Sequence, residues 1–482
     1  MNTCRNSRHP LGGILVVLLA VTLVCSSSAY AQERPQQPNR LTVSTATYLG
    51  DWEGNSPGGV AVTPEGEVVV VGRIPKGHEP GDVGPIELEG GGEGAVVRFN
   101  GAGTEVLSVT RVGSNVRDVD VDDAGRIAVA VEGAGVVVLD AEARQVLWED
   151  ADAPAVRVAA GSQGRVAALG SDKRIRIYAG NGEVLGTRRF GDNYVTDIAL
   201  DDERGIVFVT GFNNKRLRMR NGRRGPVQVA FIRAFDMDDL SGSPRWINYD
   251  WPGDPLGAAP PDADKSDYHL LEADTRGYRL AMGRDGMLYF AGEAAGGNAI
   301  YSKDPRDLDR DLVVGEELIR IDGHTHPYNT GANHVTIFAR FEPDTGKLDR
   351  LQWALSRLEN TRGNTIRPRG IAADADGRAY VVGVATAHIA NRGDIWINDT
   401  LVHPENASGA FLLVTSPDWH SRDTWVVFGK GTCVGVDVRE GHYALVAETR
   451  GSMVTTDNAL YGHTDDTPES NAYLVVDTPA GD

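Results

Sequence analysis

The chain predicts an all-β fold, a seven-bladed β-propeller, and three observations predict it. Short apolar strands recur in units of four between residues 41 and 477, each unit beginning with two strands joined by an Asp/Gly turn. Apolar residues alternate with period two, as in Val119, Val121, Ile127, Val129 and Val131, and no long amphipathic helical run interrupts them. Glycine makes up 58 of 482 residues, which suits a chain that turns every few residues. A lone four-stranded unit cannot bury both of its faces, so repeated units must stack on one another around a ring.

Unit one comprises 59–62, the turn 64–66, 68–72, 95–99 and 105–109. Unit two comprises 116–121, the turn 123–125, 127–131, 135–139 and 145–148; unit three 156–159, 166–170, 174–178 and 183–185. Unit four has 195–200, 206–211, 229–235 and 244–247, and unit five 278–282, 288–292, 335–341 and 351–353. Unit six has 370–373, 379–383, 410–414 and 424–427. Unit seven has 433–438, 443–447 and 472–476, and lacks a fourth strand. The strand 41–49 has no unit of its own. It is expected to complete unit seven and close the ring, leaving no open sheet edge. Seven blades follow, with six or eight also open. The length alone would suggest about three domains, but a propeller grows by repetition and holds 41–482 as one domain.

The N-terminus reads as a signal peptide over 1–31. Arg5 and Arg8 precede an apolar run over 11–24, and Ala29-Tyr30-Ala31 offers a cleavage site before Gln32. The run is short for a membrane span, so secretion to the periplasm or the exterior is expected, with no transmembrane segment and 32–40 as a disordered lead. Cleavage removes Cys4 and Cys25 and leaves Cys433 alone, a core residue with no disulfide partner. It also removes two arginines and no acid, taking the formal net charge from −19 to −21. Nucleic acid and anionic membranes are excluded as general partners.

Function is expected on one face. The hairpins within units are short, whereas the insertions at 73–94, 212–228, 293–334, 384–409 and 448–471, with the link 250–277, all leave from the opposite side. Loops carried on a rigid scaffold are where binding residues concentrate, so the elaborated side is the working face. Its loops hold His78, His269, His324, His326, His334, His388, His403 and His463. Within them, His324-Thr325-His326 places two imidazoles on one side of an extended chain, with His334 near in sequence. That spacing suits either a divalent metal or solvent-facing histidines. No other cofactor is indicated. Lys215, Arg216, Arg218, Arg220, Arg223 and Arg224 form a basic stretch in an acidic chain, either a solvated loop or a clamp for carboxylate, sulfate or phosphate. Trp251, Tyr268, Tyr301, Tyr328, Trp396 and Tyr461 offer faces on which sugar rings stack. Asp118, Asp120, Asp122 and Asp123 fail the EF-hand pattern, because Asp123 stands where glycine is required, and they read as turn chemistry. No nucleophile elbow, zincin motif or phosphate loop is present.

The stretch Gly370-Ile371-Ala372-Ala373-Asp374-Ala375-Asp376-Gly377-Arg378-Ala379-Tyr380-Val381-Val382-Gly383 resembles the bacterial seven-bladed propeller repeat of the SBBP type. Ala230-Phe231-Ile232-Arg233 and Thr336-Ile337-Phe338-Ala339-Arg340 resemble its next strand, with Trp246 and Trp353 on the closing strand. The resemblance implies an extracellular or cell-surface propeller and carries no catalytic residues. Two functional expectations stand. One is a secreted binding or scaffold module, monomeric, for a polysaccharide or protein partner at the cell surface. The other is a metal-assisted lyase on acidic polysaccharide, with His324, His326, Tyr328 and His334 as its groups.

Overall fold

The repeated units of the sequence fold as antiparallel sheets. The computed structural model describes residues 39–50, 54–88, 90–218, 224–250, 274–295, 300–321, 334–359, 363–389, 393–402, 408–462 and 471–478. Unit one is Ser56–Val62, Val68–Arg73, Gly94–Phe99 and Val106–Arg111, with Ile86–Glu87 added in parallel on its outer edge. Unit two is Asn115–Val121, Ile127–Glu132, Gly135–Leu139 and Val146–Asp150; unit three is Ala155–Ala160, Val166–Gly170, Arg174–Tyr178 and Val184–Arg189. Unit four is Tyr194–Asp201, Ile206–Arg218, Arg224–Asp236 and Trp246–Asn248, and unit five Thr275–Met282, Leu288–Ala295, His334–Phe341 and Leu348–Ala354. One turn of 3-10 helix, Ile300–Ser302, is the helical element among the described residues. The architecture is an all-β propeller, in which the first strands of successive units touch in chain order and Arg422–Arg439 touches Ser56–Val62.

Three details depart from the sequence expectation. The insertion 212–228 is a two-stranded ribbon rather than a loop, because strands two and three of unit four stay paired out to Arg218 and Arg224. Units six and seven share one continuous strand, Arg422–Arg439, which bends through a bulge between Gly429 and Gly431. The N-terminal strand is shorter than 41–49. Thr45–Tyr48 pairs antiparallel with Ala472–Asp477, while Arg40–Leu41 pairs in parallel with Trp396–Ile397.

The tryptophans on fourth strands have a specific task. Trp148 Nε1 donates to the Gly180 carbonyl (3.1 Å) and Trp246 Nε1 to the Pro343 carbonyl (2.8 Å), each in the second hairpin of the next unit. The indole lies so close that a Cβ at Gly182 would come within 2.8 Å of Trp148, and one at Gly346 within 2.6 Å of Trp246. Both glycines also hold left-handed φ, +85° and +66°. Apolar burial and a satisfied indole donor thus fix neighbouring units together.

Candidate functional site

A bulge recurs at one place in every first strand, and it builds the site. Pairing with the second strand skips Gly58, Arg117, Val156, Thr196, Tyr278, Arg369 and Val434 in turn. A bulge adds a residue to one strand and re-aims the side chains beside it. The residues after the bulges, Gly59, Asp118, Arg157, Asp197, Arg279, Gly370 and Gly435, line a central cavity of about 710 Å³. That volume is within the roughly 300–1,000 Å³ of small-ligand sites. Four of these seven residues are charged and three are glycine. Two residues further along, Ala159, Ala199, Ala281 and Ala372 line the wall with Asp120 and Asp437.

The wall carboxylates tie each unit to the next. Asp118 accepts from the Val158 amide (3.0 Å), Asp120 from Ala160 (2.8 Å), Asp197 from Leu280 (3.0 Å) and Asp437 from Val62 (2.8 Å). Arg157 lies between Asp118 (3.6 Å) and Asp197 (3.7 Å). Burial pushes the Asp120 carboxyl up to about 7, with Asp437 adding repulsion against the Ala160 hydrogen bond. Burial likewise lifts Asp197 to about 6 in spite of Arg279 and Arg157, and lifts Asp118. Arg279 is brought down to about 10, first by burial and then by Arg157. Its Nε donates to the Arg369 carbonyl.

A second cluster lies on the long-loop side, between units five and six. Glu293 is 1% exposed and gathers the Tyr278 hydroxyl (2.8 Å), the Arg276 guanidinium, His334 Nδ1 (3.0 Å) and Arg367 Nε (3.3 Å). Burial alone would raise this carboxyl, but His334, Tyr278 and Arg276 outweigh it and hold it at about 2. The Tyr278 hydroxyl moves the other way, to about 12, through burial and the Glu293 charge. Beside the cluster, Tyr194 stacks on Phe212 at 4.4 Å and is 46% exposed, while Arg276 covers Phe212 at 5.9 Å. An open aromatic face next to guanidinium groups can receive a sugar ring and its acid together.

Of the residues expected from sequence, His324, His326, Tyr328, Arg220 and Arg223 lie outside the described residues, as do Trp251, Tyr268, His269, His403 and His463. The backbone of Arg218 and Arg224 is on the unit-four ribbon. Lys215 is 3.8 Å from Asp250, which also takes Arg233, itself bidentate on Asp192 at 2.7 and 2.9 Å. Arg216 is exposed on the same ribbon. His334 faces Glu293. Tyr301 is fully buried, Trp396 is covered by Arg40 (4.8 Å), and the Tyr461 hydroxyl accepts from Gly81 (3.1 Å), so none of these three is an open platform. Asp122 is turn chemistry, accepting from Ala124 (2.9 Å) and Arg126 (2.8 Å), whereas Asp118 and Asp120 are channel wall rather than turn. Cys433 is buried, and its thiol is raised by burial. Among the described residues no group of three His, Cys, Asp or Glu side chains is placed to hold a metal, and no helix is long and apolar enough to cross a membrane.

No family model matches the chain, and no curated protein matches it. The resemblance to the bacterial propeller repeat rests on the quoted motifs alone. Solved structures are similar in outline. Those described as "Structure of U3-55K" and "Crystal structure of RRP9 WD40 repeats" each have TM-score 0.47 and 10% identity, covering 90% of this chain and 98% of theirs. The "Crystal structure of WD40 beta propeller domain of Doa1" has TM-score 0.46 and 10% identity, covering 91% of this chain and 97% of its own. Scores this low assign this chain no partner and no activity.

Proposed function

We propose that this protein is a secreted binding module that holds an acidic polysaccharide on its long-loop face. In this reading residues 1–31 are removed on export, and the seven units form one ring closed by the pairing of Thr45–Tyr48 with Ala472–Asp477, as in the SBBP-type repeat. The observation that supports it most is the open Tyr194–Phe212 stack set beside Arg276 on the side of the long insertions. Guanidinium forks match carboxylates, and an aromatic face matches the apolar side of a sugar ring.

A lyase on the same substrate is the second reading. Of its groups, His324, His326 and Tyr328 lie outside the described residues, and His334 Nδ1 faces Glu293 at 3.0 Å. Binding of the chain 32–482 to immobilised acidic and neutral glycans tests the proposal. Retention by uronate-rich glycans alone, with no unsaturated product absorbing in the ultraviolet, is the expected result. Retention by none of them, with capture of a surface protein instead, would replace the glycan with a protein partner.

A further inference from the structure

We infer that the outer edge of unit three is a docking site for an extended, acidic and apolar segment of a partner protein, added as a parallel strand beside Val184–Arg189. It serves a partner other than the glycan. The protein shows the occupant on its own equivalent edges. In unit one the fourth strand, Val106–Arg111, is covered by Ile86–Glu87, which runs parallel to it with Ile86 opposite Thr110 and Glu87 opposite Arg111. The Arg111 carbonyl accepts from the Leu88 amide (3.3 Å), and its guanidinium takes Glu79. In unit five the Leu351 amide donates to the Glu317 carbonyl (2.7 Å), the Leu351 carbonyl accepts from Ile319 (2.9 Å), and Leu318 bridges Leu351 in parallel. Both covering segments come from long insertions and mix acids with Ile and Leu: Ile86-Glu87-Leu88 and Glu316-Glu317-Leu318-Ile319.

Unit three matches unit one position for position. Its fourth strand reads Val-Leu-Gly-Thr-Arg-Arg against Val-Leu-Ser-Val-Thr-Arg, and both begin at a bulge in their pairing with the third strand. Arg189 stands opposite Arg174 as Arg111 stands opposite Ala95. The phase agrees as well. The Phe190 amide donates inward to Lys173 (2.9 Å), as the Val112 amide does to Gly94 (3.0 Å), so Thr187 and Arg189 turn their backbone groups outward. Unit three has no long insertion, and Val184–Arg189 ends its sheet. Val106 is therefore 6% exposed and Val184 47%. Arg111 is buried, whereas Arg189 is exposed and, among the described residues, forms no ion pair. Arg188 is engaged with the Leu240 and Gly242 carbonyls (2.5 and 2.8 Å), so Arg189 is the guanidinium on offer. Arg174 has Asp172 at 3.7 Å, and like charges directly across a strand pair repel. An acid opposite Arg189 relieves that repulsion, in the place Glu87 takes opposite Arg111. An unpaired edge with exposed apolar side chains is a template for strand addition. The edge of unit two, Val146–Asp150, is also open but ends in Glu149-Asp150, so it repels the acid that unit three attracts.

Fluorescence anisotropy tests this, with the chain 32–482 titrated into a labelled peptide, Gly-Pro-Ile-Glu-Leu-Glu, the sequence of residues 84–89. Saturable binding at low salt is expected, and none to a probe with both glutamates changed to lysine. Methylating the leucine amide nitrogen removes the donor that the Arg111 carbonyl accepts in unit one, and should weaken binding about tenfold. Arg189→Glu, at an exposed position, should weaken it about tenfold or more with its melting unchanged. Glu149→Lys, on the edge of unit two, should change it by less than about twofold. Binding that survives Arg189→Glu, or that Glu149→Lys alters as much, would overturn the site. Indifference to the methylated amide would overturn strand addition. No saturation up to about 0.5 mM protein would overturn the acidic occupant. A dimer in sedimentation that Arg189→Glu dissolves, with no peptide bound, would replace the partner protein with a second copy of the chain and overturn the proposal.

Discussion

Glu293 on the long-loop rim and Asp120 on the channel wall are both carboxylates set into protein, and they titrate in opposite directions. Glu293 is held near 2 and Asp120 is pushed to about 7. Burial acts upward on both. What differs is company: Glu293 receives a tyrosine hydroxyl, a histidine and two arginines, whereas Asp120 receives backbone amides and faces Asp437. Depth alone decides nothing; the number of donors brought to the group does. The rim is a satisfied lock that fastens unit five to unit six. The wall sets Asp120 against Asp437 with backbone amides as its donors.

The largest effect is expected from removing what fastens the sheet ends. A chain starting at residue 50 lacks Thr45–Tyr48 and leaves Ala472–Asp477, apolar up to Val476, as a bare edge. It should lose cooperative unfolding and aggregate, read by thermal melts and light scattering. A melt like that of the longer chain would deny the strand any role in closure. Next comes the lock. Glu293→Gln takes the shared carboxylate from Arg276, which keeps Asp274 at 3.2 Å, and from the part-exposed Arg367, at a cost of about 2 kcal/mol in urea unfolding. A loss below about 1 kcal/mol would show that the rim and the wall are alike after all.

The pH dependence sharpens the contrast further. Asp120 has its pKa raised on folding, so the stability linked to it is full below about 4 and is lost as pH rises through about 7. Glu293 has its pKa lowered, so its contribution is full above about 4.5 and is lost only as pH falls towards 2. Wild-type stability should therefore fall between pH 4 and 7 by an amount on the order of 2 kcal/mol, and Asp120→Asn should flatten that fall. A variant whose melting profile keeps the full slope would assign the titration to other groups. The smallest effect belongs to the exposed pair Arg117–Glu132: Arg117→Gln should change stability by less than about 1 kcal/mol.

Much of the scaffold is legible in the chain. Val119, Val121 and Ile127 to Val131 alternate because one face of each strand meets a neighbouring unit, and the turn at Asp122 uses its side chain to satisfy two amides. The tryptophans at the ends of units two and four stand out for the same reason: their partners, Gly182 and Gly346, are turn glycines at a fixed offset. The site is harder to see. Arg279 and Arg369 are isolated arginines, whereas the basic stretch at 215–224 is conspicuous and its Lys215 joins a network with Asp250. One signal was present. Asp118 and Asp120 alternate with valines on a first strand, and polar residues at alternate positions of an inner strand mean that one side faces a wet channel.

The sequence by itself determined the strands, their turns and the side from which the long insertions leave, because period, turn chemistry and loop length are local properties of the chain. Only the tertiary structure decided which charges meet. The Arg369 carbonyl that grips Arg279 and the reach of Arg367 to Glu293 arise where separate units press together. No local rule carries the distance between residues 74 or 90 positions apart.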